Sequence, residues 1–246
     1  MLDIPFGYSE FRPSAWLADY VDCFWSYDVD RRFLSAPRRP VIPDACIDII
    51  WDLGTAGPDC ELIGPMTLPF YNNSRRLFGL RFKAFSASFF LGFPLSEILD
   101  QKVNCLDLPG GIDWRSIIYP GIRLSAAISS LESALINIIP GIQPQELRAA
   151  KALNFLETES CSLSVQSISD KIGWSRQHLG RKCRDLSGLS PKFICQVFRL
   201  QRTIDDFQED LDFSSLANSH GYCDQSHMIH DFNKLTSLSP SAFFSL

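Results

Sequence analysis

The sequence predicts an α+β protein in two parts: an N-terminal mostly-β domain with short helices, and a C-terminal all-α domain built as a double helix-turn-helix. Three observations predict it. Ile47, Ile49, Trp51 and Leu53, and again Phe78, Leu80 and Phe82, alternate with other residues at the period-two spacing of half-buried strands. Leu124, Ile128, Leu131, Leu135 and Ile138 recur at four and three, as the buried seam of a helix does. The stretch from Leu163 to Pro240 is one pattern written twice. Gly173 and Gly221 stand 48 residues apart and Pro191 and Pro240 stand 49 apart, so the second turn is one residue longer. Two copies are too few for a solenoid, and each has the short helix, glycine turn and second helix of a helix-turn-helix unit.

The chain has 246 residues, 46% hydrophobic and 21% charged, an ordinary globular composition. That length suits two domains, expected at 1–114 and 145–246 with a helical joint and linker at 115–144. The net charge of −5 does not by itself suggest a nucleic-acid partner. Met1-Leu-Asp-Ile-Pro-Phe lacks the basic start of a secretory signal, and no apolar run approaches the ~18 residues of a membrane helix. Eight cysteines are scattered without Cys-x-x-Cys spacing, which fits reduced thiols. Cys183 and Cys195 fall where small apolar residues pack. The expectation is a cytoplasmic protein with no membrane partner.

Along the chain, Pro13-Ser14 opens an expected helix to Asp22, with Trp16, Leu17, Tyr20 and Val21 on its packing face. Phe24, Trp25 and Tyr27 follow as a strand. Arg31, Arg32, Arg38 and Arg39 lie in a proline-rich stretch that is more simply a solvated loop than a DNA or polymerase contact. Asp48 and Asp52, on the second face of the strand after Pro43, are either a solvent-facing polar row or acceptors for a cation or basic ligand. Leu62–Pro65 and Leu68–Tyr71 are short strand candidates, and Arg76–Lys83 is a clearer one. Ser86–Leu91 and Leu95–Leu99 read as brief helices.

Pro120-Gly121 starts the helix carrying the 124–138 seam and Pro140-Gly141 stops it. The seam serves either packing against the N-terminal domain or homodimerisation. Ile139 to Gln145 then forms the linker.

In the first repeat Val165, Ile168 and Ile172 mark the buried face of a short helix, and Gly173 supplies the turn. Ser175 caps the next helix, whose Leu179, Cys183 and Leu186 face inward. Its outward face carries Gln177, Arg181 and Arg184, with Arg176 and Lys182 on the flanks and Gly180 leaving room for close approach. In the second repeat Phe213 and Leu216 pack, Asp224 caps, and Met228, Phe232 and Leu235 form the apolar stripe. Gln225, Ser226, His230 and Asn233 or Lys234 then point outward. Ser190-Pro191 and Ser239-Pro240 each start a further helix.

Ser175-Arg-Gln-His-Leu-Gly-Arg181, Gly188-Leu-Ser-Pro191, Gly221-Tyr-Cys-Asp-Gln-Ser-His227 and Leu235-Thr-Ser-Leu-Ser-Pro240 resemble the tandem helix-turn-helix domain of AraC-type transcription regulators. The resemblance implies a long connecting helix over Lys192–Gln208 and two recognition helices entering successive major-groove segments about one DNA turn (~34 Å) apart. It favours a dimer. Pro43-Asp-x-Cys-x-Asp48, Gly64-Pro-x-Thr67 and Gly79-Leu-Arg-Phe82 also resemble a sensor-like N-terminal domain of some such regulators, which implies a small-molecule effector without naming one. Two departures stand out. Ser237 replaces the usual glycine, and His230 stands where the family's second recognition helix carries arginine, as Arg181 does in the first. A histidine, ordinarily titrating near ~6.5, is mostly neutral at pH 7 and makes no bidentate contact to guanine.

Between 171 and 202 eight cationic side chains stand against Asp185 alone; from 203 to 246 only Lys234 stands against seven carboxylates. DNA affinity comes largely from cations displacing phosphate counterions. The first unit is therefore expected to hold double-stranded DNA, with Gln177 and Arg181 reading bases and Arg176, Lys182 and Arg184 clamping phosphates. Gln225, Ser226, His230 and Lys234 are weaker candidates in the second groove. The acids are either a solvated face or a contact for RNA polymerase. A rival use is a protein-interaction module whose second unit meets polymerase rather than DNA.

Enzyme chemistry has little to stand on. All four histidines (178, 220, 227, 230) lie in the C-terminal domain, so residues 1–177 offer neither a histidine metal site nor a Ser-His-Asp or Cys-His pair. A DNA-repair alkyl transferase would need a Pro-Cys-His motif or clustered zinc cysteines, and neither occurs. No cofactor and no metal are expected. His178 and His227 read as packing and capping residues.

Overall fold

The structure, a computed structural model, describes residues 7–29, 40–54, 59–109, 112–119, 121–208 and 212–245. Arg31, Arg32, Arg38, Arg39, Pro120, Glu209, Asp210 and Leu211 lie outside the described residues.

Six antiparallel strands form one sheet: β1 (Tyr8–Phe11), β2 (Val21–Asp28), β3 (Ile47–Asp52), β4 (Asp59–Ile63), β5 (Arg76–Phe82) and β6 (Lys102–Asn104), in the order β1-β2-β5-β3-β4-β6. The alternation read in the sequence is the pleat itself. Ile47, Ile49 and Trp51 on β3 stand beside Phe82, Leu80 and Phe78 on β5, and all six are buried on one face. Trp51 donates its indole N–H to the carbonyl of Trp114 at 2.9 Å, tying that face to α2 (Trp114–Ile117).

The expected helix from Pro13 to Asp22 is not formed. Bonded turns occupy 15–20, β2 already begins at Val21, and Trp16 is 39% exposed rather than packed. The physical reason lies in the sheet: Val21–Asp28 is taken up along β5, and Ser14 is bound by Glu132, which accepts from its N–H and its hydroxyl at 2.7 Å each. Between those anchors residues 15–20 close into bonded turns and not a continuous helix. Leu68–Tyr71 forms only an isolated bridge, Val41↔Phe70.

The second face of the sheet is not a solvent-facing polar row at Asp48. Gly79 stands opposite Trp25, and a Cβ there would meet the indole at 2.0 Å, so the ring lies flat across β5. Its Nε1 donates to Asp48 at 2.8 Å, and Arg81 Nε reaches the same carboxylate at 3.2 Å, with Asp44 3.7 Å from Arg81 Nη2. Burial pushes the Asp44 carboxyl up, opposed by Arg81. Asp48 is thus a buried acceptor for Arg81 and Trp25.

Two short helical pieces follow β5, α1 (Ser88–Leu91) and the 3-10 turn Leu95–Ile98. Helix α3 (Leu124–Ile136) sets Leu124, Ile128, Leu131 and Leu135, with Ile138 just beyond it, into the core of the N-terminal sheet. Of the two uses left open for that seam, packing against the chain's own N-terminal part is the one observed. The 18 residues Leu124–Gly141 do reach the length and composition of a membrane span, with mean hydropathy 1.3, contrary to expectation. Yet α3 has 13 residues, about 20 Å of helix against the ~30 Å of a bilayer core.

The C-terminal part is all helix: α4 (Pro144–Glu159), α5 (Val165–Ile172), α6 (Arg176–Ser187), α7 (Pro191–Asp205), α8 (Phe213–Ser219), α9 (Gln225–Thr236) and α10 (Pro240–Phe244). Its start is a capping box between Gln143 and Glu146. Each cap read from the sequence is present. Ser175, Ser190, Asp224 and Ser239 accept from the N–H of His178, Phe193, His227 and Ala242. Gly173 and Gly221 hold the two turns at φ 75° and 71°.

Candidate nucleic-acid interface

Helix α6 is held from behind. Leu179, Cys183 and Leu186 are buried in a core shared with α4, α5, α7, α8 and α9. The opposite side leaves Arg176, Gln177, Arg181 and Arg184 exposed, with Lys182 half-buried. Gly180 is not open. A Cβ there would lie 3.7 Å from both terminal nitrogens of Arg184, so that guanidinium rests across the glycine and covers it. Arg184 therefore occupies the approach point assigned to Gly180.

A pair of aromatic contacts repeats with the turn. His178 stands edge-on to Trp174 with ring centroids 4.6 Å apart, and His227 to Tyr222 at 5.3 Å. His178 also receives a hydrogen bond on Nδ1 from Arg181 Nη2, 3.1 Å.

The basic block is smaller than its count. Lys171 is paired with Glu159 at 3.2 Å. Arg199 donates to the carbonyl of Ser160 at 3.2 Å and lies over the Tyr222 ring. Arg202 donates to the carbonyls of Thr158 (3.0 Å) and Glu157. Both arginines cap the carbonyl end of α4, where a cation also meets the negative end of the helix dipole. Arg176, Arg181, Lys182, Arg184 and Lys192 remain on the outer side.

In the second repeat Gln225, Ser226, His230 and Lys234 are exposed, as the pattern requires. Among the described residues, four of the acids have partners within the fold. Asp212 caps α8 through Ser214 and Ser215, Asp224 caps α9, and Asp206 lies 3.5 Å from His220. Asp231 is 1% exposed and accepts from Gln196 of α7 at 3.1 Å, with His227 and His230 at 3.9 and 3.7 Å. Counting charge along the chain missed Asp231 as a buried residue. Its signal was the His227–Asp231 spacing of four on a helix face. Among the described residues no group of three or more His, Cys, Asp or Glu is placed to hold a metal.

The N-terminal part reaches the far end of α6. Gly188, which closes that helix at φ 73°, is so near Pro65 and Leu95 that a Cβ would meet them at 2.9–3.1 Å. Ala45, Ala84 and Phe85 join the C-terminal core, and Lys151 of α4 pairs with Asp19 at 3.0 Å. Elsewhere in the N-terminal part, an open groove of about 430 Å³ between α2 and α3 is lined by Ile112, Asp113, Ile117, Ala134, Asn137 and Ile138.

A family described as a helix-turn-helix domain matches residues 168–245, both turns and both outward helices included. The C-terminal domain is an AraC-type helix-turn-helix domain. The AraC-type domain is a DNA-binding module of transcription regulation. A second family, a domain of unknown function (DUF6597), matches residues 9–104. Among solved structures the chain is similar to ToxT from Vibrio cholerae, at 10% identity and TM-score 0.44 over 90% of this chain and 97% of that one. ToxT from Vibrio cholerae O395 is similar at 10% identity and TM-score 0.42, with the same coverage. An apo ToxT variant from Vibrio cholerae strain SCE256 is similar at 11% identity and TM-score 0.42, over 97% of this chain and 95% of that one. No curated protein matches the chain.

Proposed function

We propose that this protein is a cytoplasmic, sequence-specific transcription regulator that holds the duplex mainly with its first helix-turn-helix. Helix α6 lies in the major groove, where Gln177 reads adenine and Arg181 reads guanine. Arg176, Lys182 and Arg184 bind phosphates and set the register. Gln225, Ser226, His230 and Lys234 make fewer contacts in the next groove segment. One observation carries this reading: α6 is locked into the core on one side while Gln177 and Arg181 stand exposed on the other. The N-terminal domain serves effector sensing or dimerisation. The open groove between α2 and α3, with Ile112, Ile117 and Ile138 in its lining, supports a role in binding there.

Selecting bound sites from random DNA with purified protein tests this reading. The expected result is an enriched motif whose binding weakens steeply between two salt concentrations. Failure to enrich any sequence overturns it.

A second reading rests on the shortage of cations after residue 202, where only Lys234 is basic. On that reading the second helix-turn-helix contacts RNA polymerase. Reversing Asp205, Asp206 and Asp210 to lysine would then abolish activation and leave DNA binding intact. Unchanged activation removes it.

A further inference from the structure

Strands β4 and β6 make one edge of the sheet, in the register Ile63↔Lys102, Leu62↔Val103 and Glu61↔Asn104. Just past the last pair, Cys60 continues β4 and Cys105 follows β6 as the first residue of the 3-10 turn Cys105–Asp107. Cys60 shares the β4 face of Leu62, and both cysteines belong to the N-terminal core, against which Val103 packs. Both are buried, 1% and 6% exposed, and the Cys105 thiol is within hydrogen-bonding reach of the Cys60 sulfur. The adjoining opposed pair, Glu61 and Asn104, is of the kind that holds Cβ atoms ~4.5–5.5 Å apart, and a disulfide needs ~3.5–4.5 Å. A small shift of the edge strand closes that gap.

We propose that Cys60 and Cys105 form a dithiol site that hydrogen peroxide oxidises to an intramolecular disulfide. In the first step one thiolate attacks a peroxide oxygen and the O–O bond breaks. Hydroxide leaves, takes up a proton as water, and the sulfur becomes a sulfenic acid. The second sulfur then attacks the first, the S–O bond breaks, and a second water leaves. Two thiols lose two hydrogens in all, and peroxide is reduced to two waters. The hydrogen bond with the Cys105 thiol, and then burial, push the Cys60 thiol up, so the closed sheet holds little thiolate. β6 is a three-residue edge strand, the kind of element that opens locally at small cost. Oxidation proceeds from the opened edge and then staples it shut.

The staple has a route to the DNA-reading helix. Beyond Ile63↔Lys102 the same ladder continues as Gly64 N–H to Gln101 O, 3.0 Å, and Asp100 N–H to Pro65 O, 2.9 Å. Pro65 and the backbone carbonyl of Leu95 seat Gly188 at the end of α6. A disulfide at one end of this ladder stiffens the seat at the other. This second step rests on the proposed reading of α6 as the DNA-binding helix.

The reduced full-length protein is treated with hydrogen peroxide, alkylated in denaturant and mapped by mass spectrometry of non-reduced peptides. The expected result is a Cys60–Cys105 linked peptide, two fewer alkylatable thiols than the eight of the reduced chain, and full recovery with dithiothreitol. A Cys223→Ser variant, lacking an exposed thiol away from the pair, is expected to behave the same. Both cysteines remaining alkylatable after treatment, or linking to other cysteines, overturns the site. Cys105→Ala removes the linked peptide; if that variant does not fold, the mapping of the parent chain still decides. For the coupling, DNA affinity of the oxidised and reduced Cys223→Ser protein is compared, and a several-fold difference is expected. A disulfide that leaves affinity unchanged overturns the coupling alone, and absence of DNA binding in both states overturns the proposed function instead.

Discussion

Arg181 donates from Nη2 to Nδ1 of His178, 3.1 Å away and one helical turn earlier on α6, while the His178 ring is itself fixed edge-on against Trp174. The bond requires the imidazole to be neutral with its proton on Nε2. It holds a guanidinium above the outward face of the helix before any ligand arrives, and so lowers the side-chain entropy lost on binding.

Arg181→Ala is expected to cost ~1–3 kcal/mol of DNA binding and to relax preference at a single base pair. Site selection with the variant protein checks this. A loss of equal size on every sequence would refute a base-reading role and return Arg181 to the phosphate-binding set.

Lys182 and Arg202 stand in the same basic block and are expected to behave oppositely. Lys182→Ala should weaken all sequences alike and reduce the salt slope by about 1. Arg202 instead caps the carbonyls of Glu157 and Thr158. Arg202→Ala should leave the salt slope unchanged and lower stability by about 1–2 kcal/mol. Affinity at several salt concentrations, with thermal melts of both variants, separates them.

His220 is buried beside Asp206, and burial holds its imidazole below the usual range, with Asp206 opposing and Arg202 assisting. The unfolded chain, with a normal imidazole, binds its proton first as pH falls. Stability is therefore full above about pH 6.5 and declines as pH drops below it, until the folded form protonates too. Melting temperatures of the wild type and His220→Gln, compared between pH 8 and 5, should show a smaller acid loss in the variant. Equal slopes would dismiss His220 as the source.

Ser237 closes α9 at φ 58°, in the left-handed region, where Gly188 closes α6 at φ 73°. A residue with a Cβ is strained there, and glycine is not. Ser237→Gly should stabilise the domain by about 0.5–1 kcal/mol despite the added freedom of the unfolded chain. Denaturant melts with unchanged slope and a higher midpoint are the expected result.

The duplicated C-terminal pattern was legible because its signals are local. Ser175, Asp224, Gly173 and Gly221 act on backbone within a few residues, and the apolar stripe of α6 needs only helical period. The beginning of the chain was less legible: Ala15–Asp22 has helical spacing, but β2 takes its last residues into a sheet with strands far along the chain. Reading Asp48 as a surface residue failed for the same reason, since Trp25, Gly79 and Arg81 cover it from two other strands.

The same division holds at the interface. Residue order alone determined which side chains of α6 face outward, because a helix buried on one side must expose the other. Only the tertiary structure decided which cations remain for a ligand and that the N-terminal part seats Gly188. Charge and position are properties of a residue in the chain, but whether a charge is already satisfied depends on what distant segments bring against it.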